Sequence, residues 1–227
     1  MPHLIRDIIN LFSTKHCAVC GRSLSPDERS VCGGCLVCLP YLPTDDFYNN
    51  PVCRLFWAKF PIEKAGSYVM FRTGTVSQQI LHQLKYNHRP DVGREVGRMM
   101  ARDLAAQGFF EGIEAIVAVP LHWIRQFKRG YNQSIELARG IAEETGIPLL
   151  RRKVKRVRNN ESQTHKTAGE RISNTQNLFR AKEGLPYRHI LIVDDVLTTG
   201  STISACAYAI LEANPSVRFS VLTLAKA

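Results

Sequence analysis

Ten consecutive residues, Val193-Asp194-Asp195-Val196-Leu197-Thr198-Thr199-Gly200-Ser201-Thr202, constrain this chain more than any other stretch. They follow the apolar run His189-Ile190-Leu191-Ile192-Val193, the pattern of a buried parallel strand. Ile203, Ala207, Ile210 and Leu211 then recur as one face of a helix. Two adjacent carboxylates therefore sit at the carboxyl end of a strand, the place where ligands bind in open α/β sheets. The Thr-Thr-Gly-Ser-Thr turn offers backbone N–H groups, hydroxyls and a helix N-terminus, which suit a phosphate. Carboxylates repel a phosphate but accept hydrogen bonds from two neighbouring sugar hydroxyls. A ribose with a 5′-phosphate satisfies the whole segment. A plain strand end with a polar turn accounts neither for the paired acids nor for the four hydroxyls around Gly200.

The segment resembles the signature of the type I phosphoribosyltransferases, which bind phosphoribosyl pyrophosphate (PRPP). The resemblance implies that Asp194 and Asp195 hold the ribose hydroxyls, and that Val196 and Thr198 to Thr202, with Thr199, Gly200 and Ser201 between them, bind the ribose phosphate. It also implies a fold: an open, mostly parallel sheet with helices on both faces. The rest of the chain is compatible with that fold. Gly66 to Arg72, Ile113 to Val119 and Val217 to Val221 read as strands, the last alternating as an edge or half-exposed strand does. Thr75 and Gln78 are spaced as a capping box, Asp91 as a helix cap, and Ser134 to Glu144 as a helix. Leu149-Leu150 and Leu178 to Arg180 suggest short further strands. Strands alternating with helices argue for βαβ units.

At 227 residues the chain has room for one such domain and a small accessory module. No apolar run approaches the roughly 20 residues of a membrane span. Residues 1–12 are apolar at helical spacing but carry Arg6 and Asp7 and no small-residue cleavage site, so an amphipathic helix is expected there rather than a signal peptide. A cytoplasmic location follows as an expectation. The net charge of +10 favours anionic partners without choosing among phosphates, nucleic acid and membrane surface.

Four of the seven cysteines form Cys17-x2-Cys20 and Cys32-x2-Cys35, separated by eleven residues. Disulfides are unexpected in a cytoplasmic chain. Two such turns can instead close a tetrahedron of thiolates around a structural Zn²⁺, and four thiolates leave no open position for catalysis. Cys38 continues an even spacing with Cys32 and Cys35, and His16 is adjacent, so both remain alternative ligands. Cys206 lies on the apolar side of the last helix and reads as core. Residues 1–60 are expected to form the N-terminal helix and zinc module, and 61–227 the phosphoribosyltransferase-like domain.

Two further segments bear on the site. Val119-Pro120-Leu121-His122 ends a strand and resembles the pyrophosphate loop of type I phosphoribosyltransferases, which implies that the backbone of Leu121 and His122 receives pyrophosphate. Lys128-Arg129-Gly130-Tyr131-Asn132-Gln133-Ser134 precedes a helix. A basic pair before a glycine and a helix N-terminus is an anion-binding arrangement, while Asn132 or Ser134 can equally be a plain cap. Arg151, Arg152, Lys153, Lys155, Arg156 and Arg158 make the densest basic run, followed by a polar stretch, Asn159 to Thr167, expected to be a mobile loop. Aromatics are absent from 151–171, so this run alone gives no support to base stacking.

Taken in order, the four-Cys module, Leu84-Lys85-Tyr86, Arg129-Gly130-Tyr131-Asn132-Gln133 and the Asp-Asp loop closely resemble the ComF family, linked to natural competence and DNA uptake. Many ComF-like sequences carry a further complete Cys-x2-Cys pair, whereas Cys38 and Cys53 here stand alone. The resemblance implies a loop that closes over PRPP, with Thr164, Lys166 and Arg171 binding it, Arg129 assisting with pyrophosphate, and Mg²⁺ bound with PRPP. His122, His165 and Lys166 are candidates for proton transfer. Two classes of function fit: a transferase that moves phosphoribosyl from PRPP to an acceptor, and a non-catalytic competence protein that binds single-stranded DNA or a DNA-handling partner.

Overall fold

The computed structural model of the chain describes residues 15–43, 46–157 and 178–227. The expected N-terminal helix, the stretch Asn159 to Thr167, and with it Thr164, Lys166 and Arg171, lie outside the described residues. The described elements are α1 (Gly33–Val37), α2 (Pro51–Arg54), β1 (Ile62–Met70), α3 (Val76–Tyr86), α4 (Pro90–Ala105), β2 (Ala115–Ala118), α5 (Trp123–Arg129), α6 (Gln133–Thr145), β3 (Val154–Arg156), β4 (Phe179–Ala181), β5 (His189–Leu197), α7 (Ser201–Ala213) and β6 (Arg218–Lys226). Among them no helix is long and apolar enough to cross a membrane.

Strands β1, β6, β5 and β2 join in that order, and every pair is parallel. A parallel sheet must be covered on both faces, and the alternation in β5 does this. Leu191 and Val193 pack with Ile80, Leu84, Val96, Met100 and Leu137 of α3, α4 and α6. Ile190 and Ile192 pack with Phe56, Ile203, Cys206 and Ile210 on the α2 and α7 side. Cys206 is core, as its helical spacing implies. The apolar residues of the cysteine segment, including Val31 and Leu39, pack in the same cluster as α3 and α4. β3 and β4 form a separate antiparallel pair, and Leu149 makes a single parallel bridge to Ile116.

Several local expectations change. β6 is not an edge strand; it lies between β1 and β5. Its polar residues are buried against partners: Ser220 Oγ is 2.9 Å from His189 Nε2, and Thr223 Oγ1 is 2.6 Å from Ser67 Oγ. β1 starts at Ile62 rather than Gly66, because buried Lys64 aims its ammonium at the carbonyls of Gly108, Phe109 and Glu111. The cap of α4 is Arg89, with Pro90 opening the helix, and Asp91 in the first turn accepts from the Arg89 guanidinium. The Thr75–Gln78 box does not close. Gln78 Oε1 accepts instead from the amide of Gly74, and the Thr75 hydroxyl donates to the carbonyl of Arg72.

Helices α4 and α6 touch backbone to backbone. A Cβ on Gly97 would stand 2.2 Å from the carbonyl oxygen of Leu137, and one on Gly140 would stand 2.1 Å from that of Arg94. Arg94–Glu136, Arg98–Glu143 and Arg102–Glu144 ion pairs flank the contact. This seam sets the position of the α6 N-terminus, which reaches the candidate site.

Candidate functional site

β2 pairs with β5 only as far as Ala118 opposite Val193, while β6 continues to pair β5 through Leu197. From Asp194 onward one flank of β5 is therefore open at the carboxyl end of a parallel strand. That is the crevice in which open α/β sheets bind ligands. The half-buried Asp194 accepts a hydrogen bond from Ser134 Oγ at 2.8 Å and from the amide of Asp195 at 2.9 Å. Asp195 Oδ2 lies 3.4 Å from Lys85 Nζ. Burial, and then the charge of Asp195, push the Asp194 carboxyl up to about 7; Ser134, the Asp195 amide and Lys85 work in the other direction.

Within β5 Val196 is half-buried; beyond the strand Thr198, Thr199 and Ser201 are exposed, Thr202 is half-buried, and Gly200 is buried. Gly200 caps α7 at φ +73°, and a Cβ there would stand 2.7 Å from the Phe56 ring. Only glycine takes that conformation and that approach without strain. α7 has no side-chain cap, so its leading amides are covered only by a 3.4 Å contact from Ser201 N to Thr199 Oγ1. Thr199 and Ser201 share a 2.8 Å hydroxyl pair. The turn thus presents hydroxyls and a helix N-terminus at the same carboxyl end of β5 as the Asp pair.

At the end of β2, Leu121 is half-buried and His122 buried. His122 caps α5, its Nδ1 accepting from the amide of Ile124 at 3.3 Å. Residues 131–133, after α5, form a bracket. Asn132 donates to the carbonyl of Val119 at 2.9 Å and caps α6 by accepting from Ser134 N. Tyr131 Oη and Gln133 Nε2 both donate to the carbonyl of Leu84, at 2.6 and 3.1 Å. Arg129 donates to Gln133 Oε1 at 3.1 Å. Ser134 and Lys85, not singled out from sequence as site residues, are the two side chains from other elements that hold the Asp pair. The motifs that contain them were the available signal.

The cysteines converge. Ligand atoms of Cys17, Cys20, Cys32 and Cys35 all lie within 4.8 Å of one another, with sulfur pairs at 3.9 Å (Cys17–Cys35) and 3.6 Å (Cys20–Cys32). Four thiolates bound tetrahedrally at about 2.3 Å stand about 3.8 Å apart, so the donor set fits a metal ion of that type. Exposed Cys38 ends α1 outside this cluster, and the His16 ring lies 3.0 Å from the carbonyl of Gly21.

Beside the β2 edge lies a cleft of about 390 Å³ whose lining includes Leu121, Trp123, Arg151, Arg152, Lys155 and Arg156. Among the described residues none of its lining is acidic, and Trp123 is 70% exposed.

The model of the phosphoribosyl transferase domain family matches residues 96–227. Competence protein F of Haemophilus influenzae is 34% identical over 131 residues, covering 55% of this chain and 57% of that protein. DNA utilization protein YhgH of Salmonella typhi is 33% identical over 135 residues, covering 58% and 60%. Competence protein ComFC of Bacillus subtilis is 33% identical over 113 residues, covering 48% and 43%. The chain therefore spans 57–60% of the length of the first two relatives and less than half of the third. Their names agree with the ComF resemblance read from the motifs.

Proposed function

The chain belongs to the phosphoribosyl transferase domain family, and we propose that it is a PRPP-binding protein of the ComF type that serves natural competence and DNA utilization. The observation that carries this reading is the Asp pair on the open flank of β5, continuous with a hydroxyl-rich turn at an uncapped helix N-terminus. Asp194 and Asp195 accept the two ribose hydroxyls. Thr198 to Thr202 surround the 5′-phosphate. The backbone at Leu121 and His122, with Arg129, faces pyrophosphate, and Thr164, Lys166 and Arg171 complete the ligand contacts. The paired carboxylates are hard oxygen donors of the kind that suits Mg²⁺, which when bound with PRPP neutralises charge on the pyrophosphate. In a transfer reaction an acceptor nucleophile bonds to the anomeric carbon as the bond to pyrophosphate oxygen breaks. The protein's part is positioning and charge stabilisation. The test is PRPP consumption with stoichiometric pyrophosphate release by the purified chain; binding without release at any acceptor tried would count against the transferase reading.

The thiolate cluster supports structural Zn²⁺ on Cys17, Cys20, Cys32 and Cys35. Elemental analysis is expected to give about one zinc per chain. The Cys17→Ser/Cys20→Ser double variant should lose it and loosen the N-terminal segment, and a variant that keeps full zinc would refute the assignment.

A second reading has its own observation. Sequence alone leaves the basic run without an aromatic partner, whereas in the fold Trp123 lines the same cleft as four cations. That arrangement suits single-stranded DNA, with phosphates on Arg151, Arg152, Lys155 and Arg156 and a base on the indole. Binding of a labelled oligo(dT) should weaken steeply with salt. Trp123→Ala should cost about tenfold or more, since stacking contributes about 1–3 kcal/mol per base. Unchanged affinity in that variant would remove this reading.

A further inference from the structure

The two carboxylates of the Asp pair are held from outside their own strand by different means. Ser134 hydrogen-bonds Asp194 directly. Asp195 faces Lys85 Nζ at 3.4 Å, with the lysine side chain 26% and the aspartate side chain 17% exposed. Lys85 lies in the last turn of α3, upstream of the residues that the family model matches.

The backbone around Lys85 is fixed in an unusual way. Carbonyls in the last turn of a helix lack amide partners four residues on. After Asn87 the chain turns away through His88 at φ +50°, which leaves the carbonyl of Leu84 to side chains. Tyr131 and Gln133 both donate to it. Residues 131–134 therefore fix both halves of the pair, Asp194 through Ser134 and Asp195 through the Leu84–Lys85 peptide. A loose surface lysine would need no such bracket.

We infer that Lys85 is a positioning residue for the site: it orients the Asp195 carboxylate and offsets its charge, so that the pair can accept ribose hydroxyls from a ligand that is itself polyanionic. This rests on the proposed PRPP reading. Two unscreened carboxylates side by side would repel the phosphates that the neighbouring turn attracts. One ammonium against the Asp195 carboxylate halves that charge. Lys85 acts through Asp195, not on pyrophosphate.

Calorimetry with ribose 5-phosphate and with PRPP, each with Mg²⁺, distinguishes these roles on the full chain. Lys85→Met is expected to weaken both probes by the same factor, about tenfold, as for loss of a charged contact. Lys85→Arg should restore most of the affinity, and Lys85→Gln serves in place of methionine should that variant unfold. In the Asp195→Asn background, Lys85→Met should cost less than about twofold, because the group it acts through is gone. A full additive loss in that background, a loss confined to PRPP, or no loss at all would overturn the inference while leaving the PRPP reading intact. Failure of the wild-type chain to bind either probe would overturn both.

Discussion

The Gly97→Val variant is expected to be destabilised by about 3 kcal/mol or more. The cause is the seam between α4 and α6. A Cβ at Gly97 meets the carbonyl oxygen of Leu137 at 2.2 Å, and a backbone atom inside a helix cannot rotate away as a side-chain tip can. The helices must separate, which opens gaps around Val96, Leu137 and Met100 and strains the Arg94–Glu136 and Arg98–Glu143 pairs. For a chain of this size each kcal/mol corresponds to about 2–4 °C in Tm, so a fall of about 6–12 °C is expected in thermal unfolding followed by circular dichroism. Gly34→Ala is the control, because a Cβ there has nothing within 4 Å and the substitution should be nearly neutral. A Gly97→Val chain melting within about 2 °C of wild type would contradict the close seam. The same displacement would carry Ser134 away from Asp194, so the ligand site should weaken together with the fold.

The largest effect on ligand binding is expected from the Asp pair and the turn. Asp194→Asn and Asp195→Asn each remove a charged acceptor, and such hydrogen bonds contribute about 1.5–3 kcal/mol, or about one to two orders of magnitude in affinity. The double variant should lose less than the product of the two, since neighbouring sites do not add. Thr199→Glu should cost more than either. It places a carboxylate at an exposed position in the turn proposed for the phosphate, where repulsion and occupied space act together. All four chains should remain folded, because these side chains border the open flank of β5. The titration of Asp194 adds a pH arm. A carboxyl raised from 3.8 to about 7 is still largely protonated below that value, and its proton must leave before both oxygens accept. Wild-type affinity should therefore rise as pH climbs through about 7, and this rise should be absent in Asp194→Asn. The folding sign is the opposite. Between about pH 4 and 7 the folded state holds a proton that the unfolded state has lost, so this group lowers stability as pH rises. Affinity flat across that range in the wild type would contradict the role given to Asp194.

The parts legible in the sequence were those whose physics is local. The strand, paired acids, glycine turn and helix of residues 189–211 follow from period, charge and backbone conformation, and the structure reproduces them as β5, Gly200 at φ +73° and α7. The two Cys-x2-Cys turns likewise carry their own geometry. What misled was set by distant partners. Arg218 and Ser220, between Val217, Phe219 and Val221, give β6 an alternating pattern that normally marks a half-exposed strand, but His189 satisfies Ser220 inside the sheet. Lys64 hid the start of β1 because its three carbonyl acceptors lie beyond α4. The bracket that residues 131–133 form on the carbonyls of Leu84 and Val119 is invisible to a local pattern. Lys85 was legible only as part of a family motif, since its partner Asp195 sits on another strand. Trp123 and the basic run 151–156 are far apart in the sequence and meet only across the β2 edge.

The most direct measurement of the central claim is calorimetric titration of PRPP with Mg²⁺ into the full chain at neutral pH. The proposed site predicts saturable binding at one site per chain, with a Kd of roughly micromolar order, lost in the Asp194→Asn/Asp195→Asn chain that melts like wild type. Absence of binding by the wild-type chain at about millimolar PRPP would contradict it, and would leave the crevice of β5 as scaffold for a protein whose contacts with DNA or a partner lie elsewhere on its surface.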